Sequence, residues 1–375
     1  MSISRAFVVF RKEVRDLFRD IKTIIVSIVV PLVLFPLSFG LMETVGVAPE
    51  NASIDLSVVN LPSSLEQFLK TQPALRLHPG SHSAARRMME QGRIDALLVG
   101  EENAFTISFD SRRSESVGAA EAVADLYARF LEVQQQAIVP PEGELAELIA
   151  REIVLDDRGP GSGVALLALL LPLLLLVASA VSAMPSAADV AAGEKERSTI
   201  APLLATSAAP IDLILGKLLA IATLAAIGTA AFLGGIVLSQ LVAPDLFGES
   251  VPALAPTSNV VKLAACAILL TLFFSSLELL VSLFADSPKE AQAYLLPILI
   301  VSLGCGYVAA TVDALAPPAY AFHIPLVNVA TTLKLLVLGI DPGVNLIWTA
   351  LWMMIYIAVT TTGGLLRIKS ERMIL

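Results

Sequence analysis

The chain has 375 residues, 56% of them hydrophobic and 16% charged, with a mean hydropathy of +0.77. Such a composition excludes a soluble globular domain of this length and marks a polytopic membrane protein. The net charge of -9 sits entirely in residues 43–158, which hold 19 acidic against 10 basic residues, and so acidic a block argues against nucleic acid as a partner.

In chain order, Ile3, Phe7, Phe10, Val14 and Leu17 recur at spacings of four and three, with basic residues between them. This predicts an amphipathic helix over 1–22 lying on membrane lipid, the rival being a soluble core helix. Residues 24–42 carry no charge until Glu43, enough to span a bilayer at about 1.5 Å per residue, within a first transmembrane segment over 23–42. Pro31 and Pro36 are expected to kink it. The run is too long for a signal peptide and no small-x-small cleavage site follows, so it reads as a permanent anchor.

Residues 43–160 change character and predict an inserted α/β domain. Strands are expected at 54–59, 94–99 and 104–109, and helices at 63–70, 83–91 and 114–136. Over 161–375, apolar runs at 162–184, 211–242, 261–285, 291–312 and 344–366 bring the spans to six. A further run at 324–338 is too short to cross easily and contains Asn328 and Lys334, so it reads as a re-entrant or interfacial piece. Both cysteines, Cys266 and Cys305, fall inside apolar runs and offer the polar block no disulfide. The expected fold class is an α-helical polytopic membrane protein of six transmembrane helices with an inserted extracytoplasmic α/β domain.

Orientation follows from basic residues beside the spans. Arg5 to Lys22 precede the first, Lys195, Arg197 and Lys217 follow the second, Lys289 follows the fourth, and Arg367, Lys369 and Arg372 follow the last. With six spans these share one side, whereas the opposite loops 243–261 and 313–343 hold only Lys334. Both termini are therefore expected in the cytoplasm of a multi-pass inner-membrane protein, with 43–160 outside.

Between the second and third spans lies GEKERSTIAPLLAT, residues 193–206. Its charges cannot sit in hydrocarbon, and a short helix with both signs of charge at one end and two leucines at the other suits docking on a soluble partner. An ordinary inter-span loop is the plainer alternative. The longer string GEKERSTIAPLLATSAAPIDLILGKLLA resembles the segment after the second span in type-2 ATP-binding-cassette export permeases, particularly the NatB-like sodium-extrusion permeases. DSPKEAQAY (286–294), residues 324–339 with Pro325, Asn328 and Gly339, and ISFDSRRSES (107–116) are similar to further motifs of that family, in its order.

The resemblance implies a coupling helix over 193–206 that seats in a cleft of a cytoplasmic ATPase. It assigns ATPase coupling to Gly193, Glu194, Lys195, Glu196, Arg197, Thr199, Leu203, Leu204, Gly216 and Lys217. It further implies a re-entrant segment at 324–339 and a second permease chain, as homodimer or heterodimer. Ser198 and Ala201 stand where the family often has Gly and Glu. No Gly-x-x-x-x-Gly-Lys-Ser/Thr loop occurs: Gly216 and Lys217 are preceded by Ile211 at the first glycine position and followed by Leu218. The chain is thus expected to be a non-enzymatic transport subunit that binds no cofactor itself, ATP and Mg being held by the partner ATPase.

Glu278 is the most conspicuous charge inside a span, where an uncompensated acid costs roughly 2.5–3.5 kcal/mol. Thr271, Ser275, Glu278 and Ser282 share a helix face. That stripe is either a substrate or cation path or a hydrogen-bonded seam between helices. Asn345, Thr349, Tyr356 and Thr360 make a weaker stripe, and Ala220, Thr223, Ile227, Ala230 and Gly234 mark a small-residue face that suits packing within the bundle or a dimer seam. Pro79 and Gly80 break the helix that would align His78 with His82, so no metal site is expected, and no serine has a recognisable base partner. The expected function is the permease subunit of an ATP-driven exporter, sodium being the first cargo the resemblance suggests. The alternative is an ATP-independent secondary transporter or channel using Glu278.

Overall fold

A computed structural model describes residues 3–45, 54–101, 104–110, 113–136, 152–157, 162–199, 209–242 and 257–374. Six helices among them are long and apolar enough to cross a membrane. They are TM1 (Ile21–Ser38), TM2 (Leu167–Glu196), TM3 (Pro210–Ser239), TM4 (Asn259–Ser282), TM5 (Pro288–Thr311) and TM6 (Val344–Ser370). TM2 is 72% buried and TM6 only 11%, so TM2 is the axis of the bundle and TM6 a peripheral helix.

Helix α1 (Ile3–Leu17) precedes TM1. Its Ala6, Glu13 and Leu17 are buried while Phe7 and Val8 stay exposed, so the face turned inward carries a carboxylate. Asp20 then caps the entry to TM1, accepting from the Lys22 amide at 3.0 Å and the Thr23 hydroxyl at 2.7 Å.

TM1 opens with an α-helical turn, Ile21–Ile24, passes through a π-helical stretch, Ile25–Val29, and continues as α-helix through Pro36. Pro31 has no N–H for the carbonyl of Ser27, and Pro36 none for that of Leu32. TM3 sets a glycine against each freed carbonyl. A Cβ on Gly228 would lie 1.9 Å from Ser27 O, and one on Gly235 would lie 2.1 Å from Leu32 O. Glycine Cα atoms thus cover both carbonyls, in the close backbone contact that small residues permit inside membranes. The small-residue face read from sequence packs inside the bundle only at its first member: Ala220 is buried, whereas Ile227, Ala230 and Gly234 are exposed, and nothing lies within 4 Å of a Cβ on Gly234.

The inserted region is an α/β unit between TM1 and TM2. Strands β1 (Ile54–Val59), β2 (Leu75–Pro79), β3 (Ala96–Gly100), β4 (Ala104–Phe109) and β5 (Glu152–Asp157) form one sheet in the order β2-β1-β3-β4-β5. Only the β3–β4 pair is antiparallel. Helices α2 (Ser63–Lys70) and α4 (Ser114–Gln136) pack on the face bearing Leu56, Leu98, Phe105 and Ile107. Helix α3 (His82–Glu90) covers Leu97 and Val99 on the other face, as the period-two alternation of a strand requires. Strands β2 and β5, absent from the sequence reading, are the two edges.

The short run after TM5 forms helix α5 (Val327–Val337), every residue of which is buried. Its 11 residues extend about 16 Å, too short to cross. Lys334 reaches from it to the carbonyls of Ala310 and Val312 at the end of TM5, at 2.6 Å each.

The TM1–TM3 contact yields a paired prediction. Gly228→Val is expected to cost about 1–3 kcal/mol through overpacking, whereas Gly234→Val, two turns away and facing open space, leaves the melting temperature of the detergent-solubilised chain unchanged.

Candidate functional site

At one end of the bundle, α1, the close of TM2, the start of TM3, the TM4–TM5 turn and the last turns of TM6 meet. TM2 arrives there through an α-helix, Ser162–Ala188, a π-helical turn, Asp189–Gly193, and a last α turn, Glu194–Glu196. The charged residues of GEKER are therefore the end of TM2 itself. Thr199 N bonds Glu194 O at 2.9 Å and Ser198 N bonds Lys195 O at 2.9 Å, closing the helix as a Schellman motif. Ser198 occupies the left-handed position at φ 54°, where glycine is favoured. The segment that would complete a helix over 193–206, including Ala201, Leu203 and Leu204, lies outside the described residues.

Glu194 lies at the centre of a four-charge network. Its Oε1 is 2.9 Å from Lys12 Nζ and its Oε2 is 2.7 Å from Lys217 Nζ. Lys217 also reaches Glu13 Oε1 at 3.2 Å, and Lys12 reaches the same oxygen at 3.1 Å. Glu13, Glu194 and Lys217 each expose no more than 4% of the side chain, so two carboxylates and one ammonium group are out of water, and half-exposed Lys12 closes the network from the solvent side. Burial by itself lowers the pKa of Lys12, but the Glu194 and Glu13 carboxylates hold it above its ordinary value. Lys217 donates a further bond, 2.7 Å, to Val190 O within the π turn. Gly216 makes this closure feasible: a Cβ there would lie 2.7 Å from Val9 Cβ and 2.8 Å from Ala6 O, so only glycine lets α1 lie this close to TM3.

The neighbouring residues fasten other elements. Lys195 Nζ donates to Leu283 O at 2.7 Å, capping the end of TM4, and stands 3.8 Å from Asp286. Arg197 pairs with Asp189 at 2.9 Å; Gly193 leaves room for it, because a Cβ there would meet Asp189 Oδ1 at 2.7 Å. In DSPKEAQAY, Ser287 Oγ accepts from Glu290 N at 3.3 Å as the N-cap of TM5, while the Glu290 carboxylate accepts from Asp286 N, the amide before the cap, at 2.8 Å. Glu196 and Thr199 are exposed. GEKER and DSPKEAQAY thus adjoin through Lys195. Lys12 and Glu13 were not among the residues singled out from sequence; the only signal was an acidic residue on the inward face of a basic helix.

The polar stripe on TM4 divides into two halves. Thr271 Oγ1 lies 3.2 Å from Thr229 Oγ1, which lies 3.3 Å from Ser179 Oγ, a hydroxyl chain joining TM4, TM3 and TM2. Ser275 bonds back to Thr271 O at 2.7 Å. Glu278 and Ser282 are also buried, yet Glu278 Oε2 and Ser282 Oγ have no hydrogen-bond partner among the described residues. On TM6, Thr349 meets Thr332 at 2.9 Å and Thr360 meets Ser276 at 2.7 Å, so that weaker stripe is a seam. Around α5, Pro325 O accepts from Val327 N at 2.8 Å, and Asn328 Oδ1 accepts from Val329 N at 2.7 Å while its Nδ2 has no partner among the described residues. Gly339, at φ 74°, ends the helix in a second Schellman motif. In ISFDSRRSES, Ser116 takes the Asp110 amide at 2.8 Å and donates to Asp95 O, while Arg113 holds Ile94 O at 3.1 Å. Ser116 and Arg113 thus fasten α4 to the lead-in of β3.

Six apolar spans, an inserted α/β unit and a charged TM2 end tied to TM3 and the TM4–TM5 turn are the geometry against which known proteins are compared. The family model for ABC-2 family transporter proteins matches residues 21–366. The chain belongs to the ABC-2 transporter family. It is similar to the ABC transporter permease protein NatB of Bacillus subtilis (strain 168), at 25% identity over 363 residues, covering 89% of this chain and 90% of the relative. No solved structure matches it. The chain is accordingly a multi-pass membrane permease subunit of the ABC-2 type, without an ATPase motif of its own.

Removing Lys217 leaves Glu13 and Glu194 buried with one cation between them. Lys217→Met is expected to cost about 3–5 kcal/mol. Because each loss strands the other partner, Glu13→Gln combined with Lys217→Met costs less than the sum of the single changes, as read by thermal unfolding in detergent.

Proposed function

We propose that this permease works with a separate ATP-binding-cassette ATPase that grips the turn after Glu196, on the cytoplasmic side together with both termini, leaving the α/β unit outside. The observation that carries this reading is the wiring of that one turn. Glu194 holds α1 and TM3 through Lys12 and Lys217, and Lys195 holds the end of TM4. A displacement of Glu196 and Arg197 therefore reaches TM2, TM3, TM4 and α1 together, which is what converting ATPase closure into repacking of spans requires. ATP and Mg reside on the partner, and two permease chains, alike or different, complete the pathway.

Glu196→Lys with Arg197→Glu inverts the exposed charges; it also replaces the Arg197–Asp189 pair by two carboxylates but leaves Lys12, Glu13, Glu194 and Lys217 in place. Stimulated ATPase activity of the co-purified complex is expected to vanish while membrane insertion persists; unchanged ATPase association and transport would remove the assignment.

For cargo we infer a monovalent cation, sodium first, moving past the lower half of the TM4 stripe. The supporting observation is the unpartnered oxygen of buried Glu278, with Ser282 one turn on. Glu278→Gln is expected to reduce radioactive-sodium accumulation in inverted vesicles at least tenfold at unchanged melting temperature, whereas normal turnover would return the residue to a structural seam. Cation movement by the purified chain under a proton gradient, with no ATPase present, would favour the secondary-transport alternative.

A further inference from the structure

A lateral groove opens between TM3, TM4 and TM6, with a cavity volume of about 470 Å³. Leu218, Leu272, Met354, Ala358, Thr361 and Thr362 are among its walls, so no charged group lines it. Every wall residue belongs to a span, and the rim continues into exposed apolar surface at Leu219, Ile268, Met354 and Val359. The groove therefore faces hydrocarbon, where the molecules at hand are acyl chains. Its size lies within the range of sites that hold one ligand, roughly 300–1,000 Å³.

TM6 adds a polar feature. Thr362, Leu365 and Lys369 share one helix face, and Lys369 lies about 10 Å beyond Thr362 toward the charged end of the bundle. Lys369 is exposed there, where a lysine extends its ammonium to the headgroup layer. An apolar groove with a cation below its mouth matches the two parts of an anionic phospholipid.

We propose that this groove holds one acyl chain of an anionic phospholipid from the leaflet on the side of the termini, its phosphate on Lys369. The lipid fills the wedge between TM3, TM4 and TM6 that no side chain occupies, and so joins peripheral TM6 to the moving spans. The site is independent of the ATPase contact and of Glu278.

Native mass spectrometry of the full chain, titrated with phosphatidylglycerol or phosphatidylcholine, tests this. Wild type is expected to retain one phosphatidylglycerol per chain, bound at least fivefold more tightly than phosphatidylcholine. Ala358→Trp fills the groove and is expected to weaken that binding at least tenfold; Thr362→Phe, at an exposed position, does the same should the first variant fail to fold. Lys369→Gln is expected to keep lipid binding but lose the headgroup preference. Equal lipid retention in the filled and wild-type chains overturns the proposal, as does a filled groove that disrupts chain–chain association while lipid stoichiometry stays the same.

Discussion

A proline at position 31 or 36 removes the amide that would take the carbonyl of Ser27 or Leu32, inside hydrocarbon where no water can replace it. The bundle meets that constraint from a different helix, by pressing Gly228 and Gly235 of TM3 onto those two oxygens. The same demand recurs at three further places where a helix ends or changes register, and there the donors are lysines. Lys217 takes Val190 O in the π turn of TM2, Lys195 takes Leu283 O at the end of TM4, and Lys334 takes Ala310 O and Val312 O at the end of TM5. Each donor comes from an element other than the one it completes.

That cross-element arrangement makes one end of the bundle a mechanical unit. A helix capped by its own side chain can shift alone, but TM4 cannot leave Lys195 without exposing a carbonyl. TM3 likewise cannot carry Lys217 away without leaving buried Glu13 and Glu194 with Lys12 as their one cation. Desolvated charges hold only with full partnering, so partly opened geometries of this end are costly. A cost of that kind favours discrete packings, which the proposed coupling to a partner ATPase needs.

Elements dictated by local composition were legible in the sequence. The six apolar runs, the short buried helix, and helices 63–70 and 114–136 stand where periodicity and charge placed them. Strands 54–59 and 104–109 match their expected bounds because apolar and polar residues alternate along them, while β2 and β5, carrying Pro79 and paired aspartates, lack that signal and depend on the sheet to form. The TM1 contact of TM3 was not legible because small residues occur all round that helix, and what selects Gly228 and Gly235 is the position of two carbonyls on TM1. In the site, Glu194 and Lys217 stood out as charges beside apolar runs. Their partners did not, since Lys12 lies 182 residues from Glu194 and Glu13 lies 204 from Lys217.

The two kinds of buried polar group in TM4 differ in a way that bears on transport. Thr271 closes a chain of hydroxyls with Thr229 and Ser179, and such a seam is complete within the chain. Glu278 lies close to the same helix end that Lys195 caps, yet Lys195 is committed to Leu283 O and to Asp286. Of the two cations in the network, Lys12 and Lys217, both are already shared between Glu13 and Glu194. A buried carboxyl whose Oε2 has no partner among the described residues is an acceptor open to a proton or a cation. That open acceptor is why the proposed cation reading rests on Glu278 and not on Thr271.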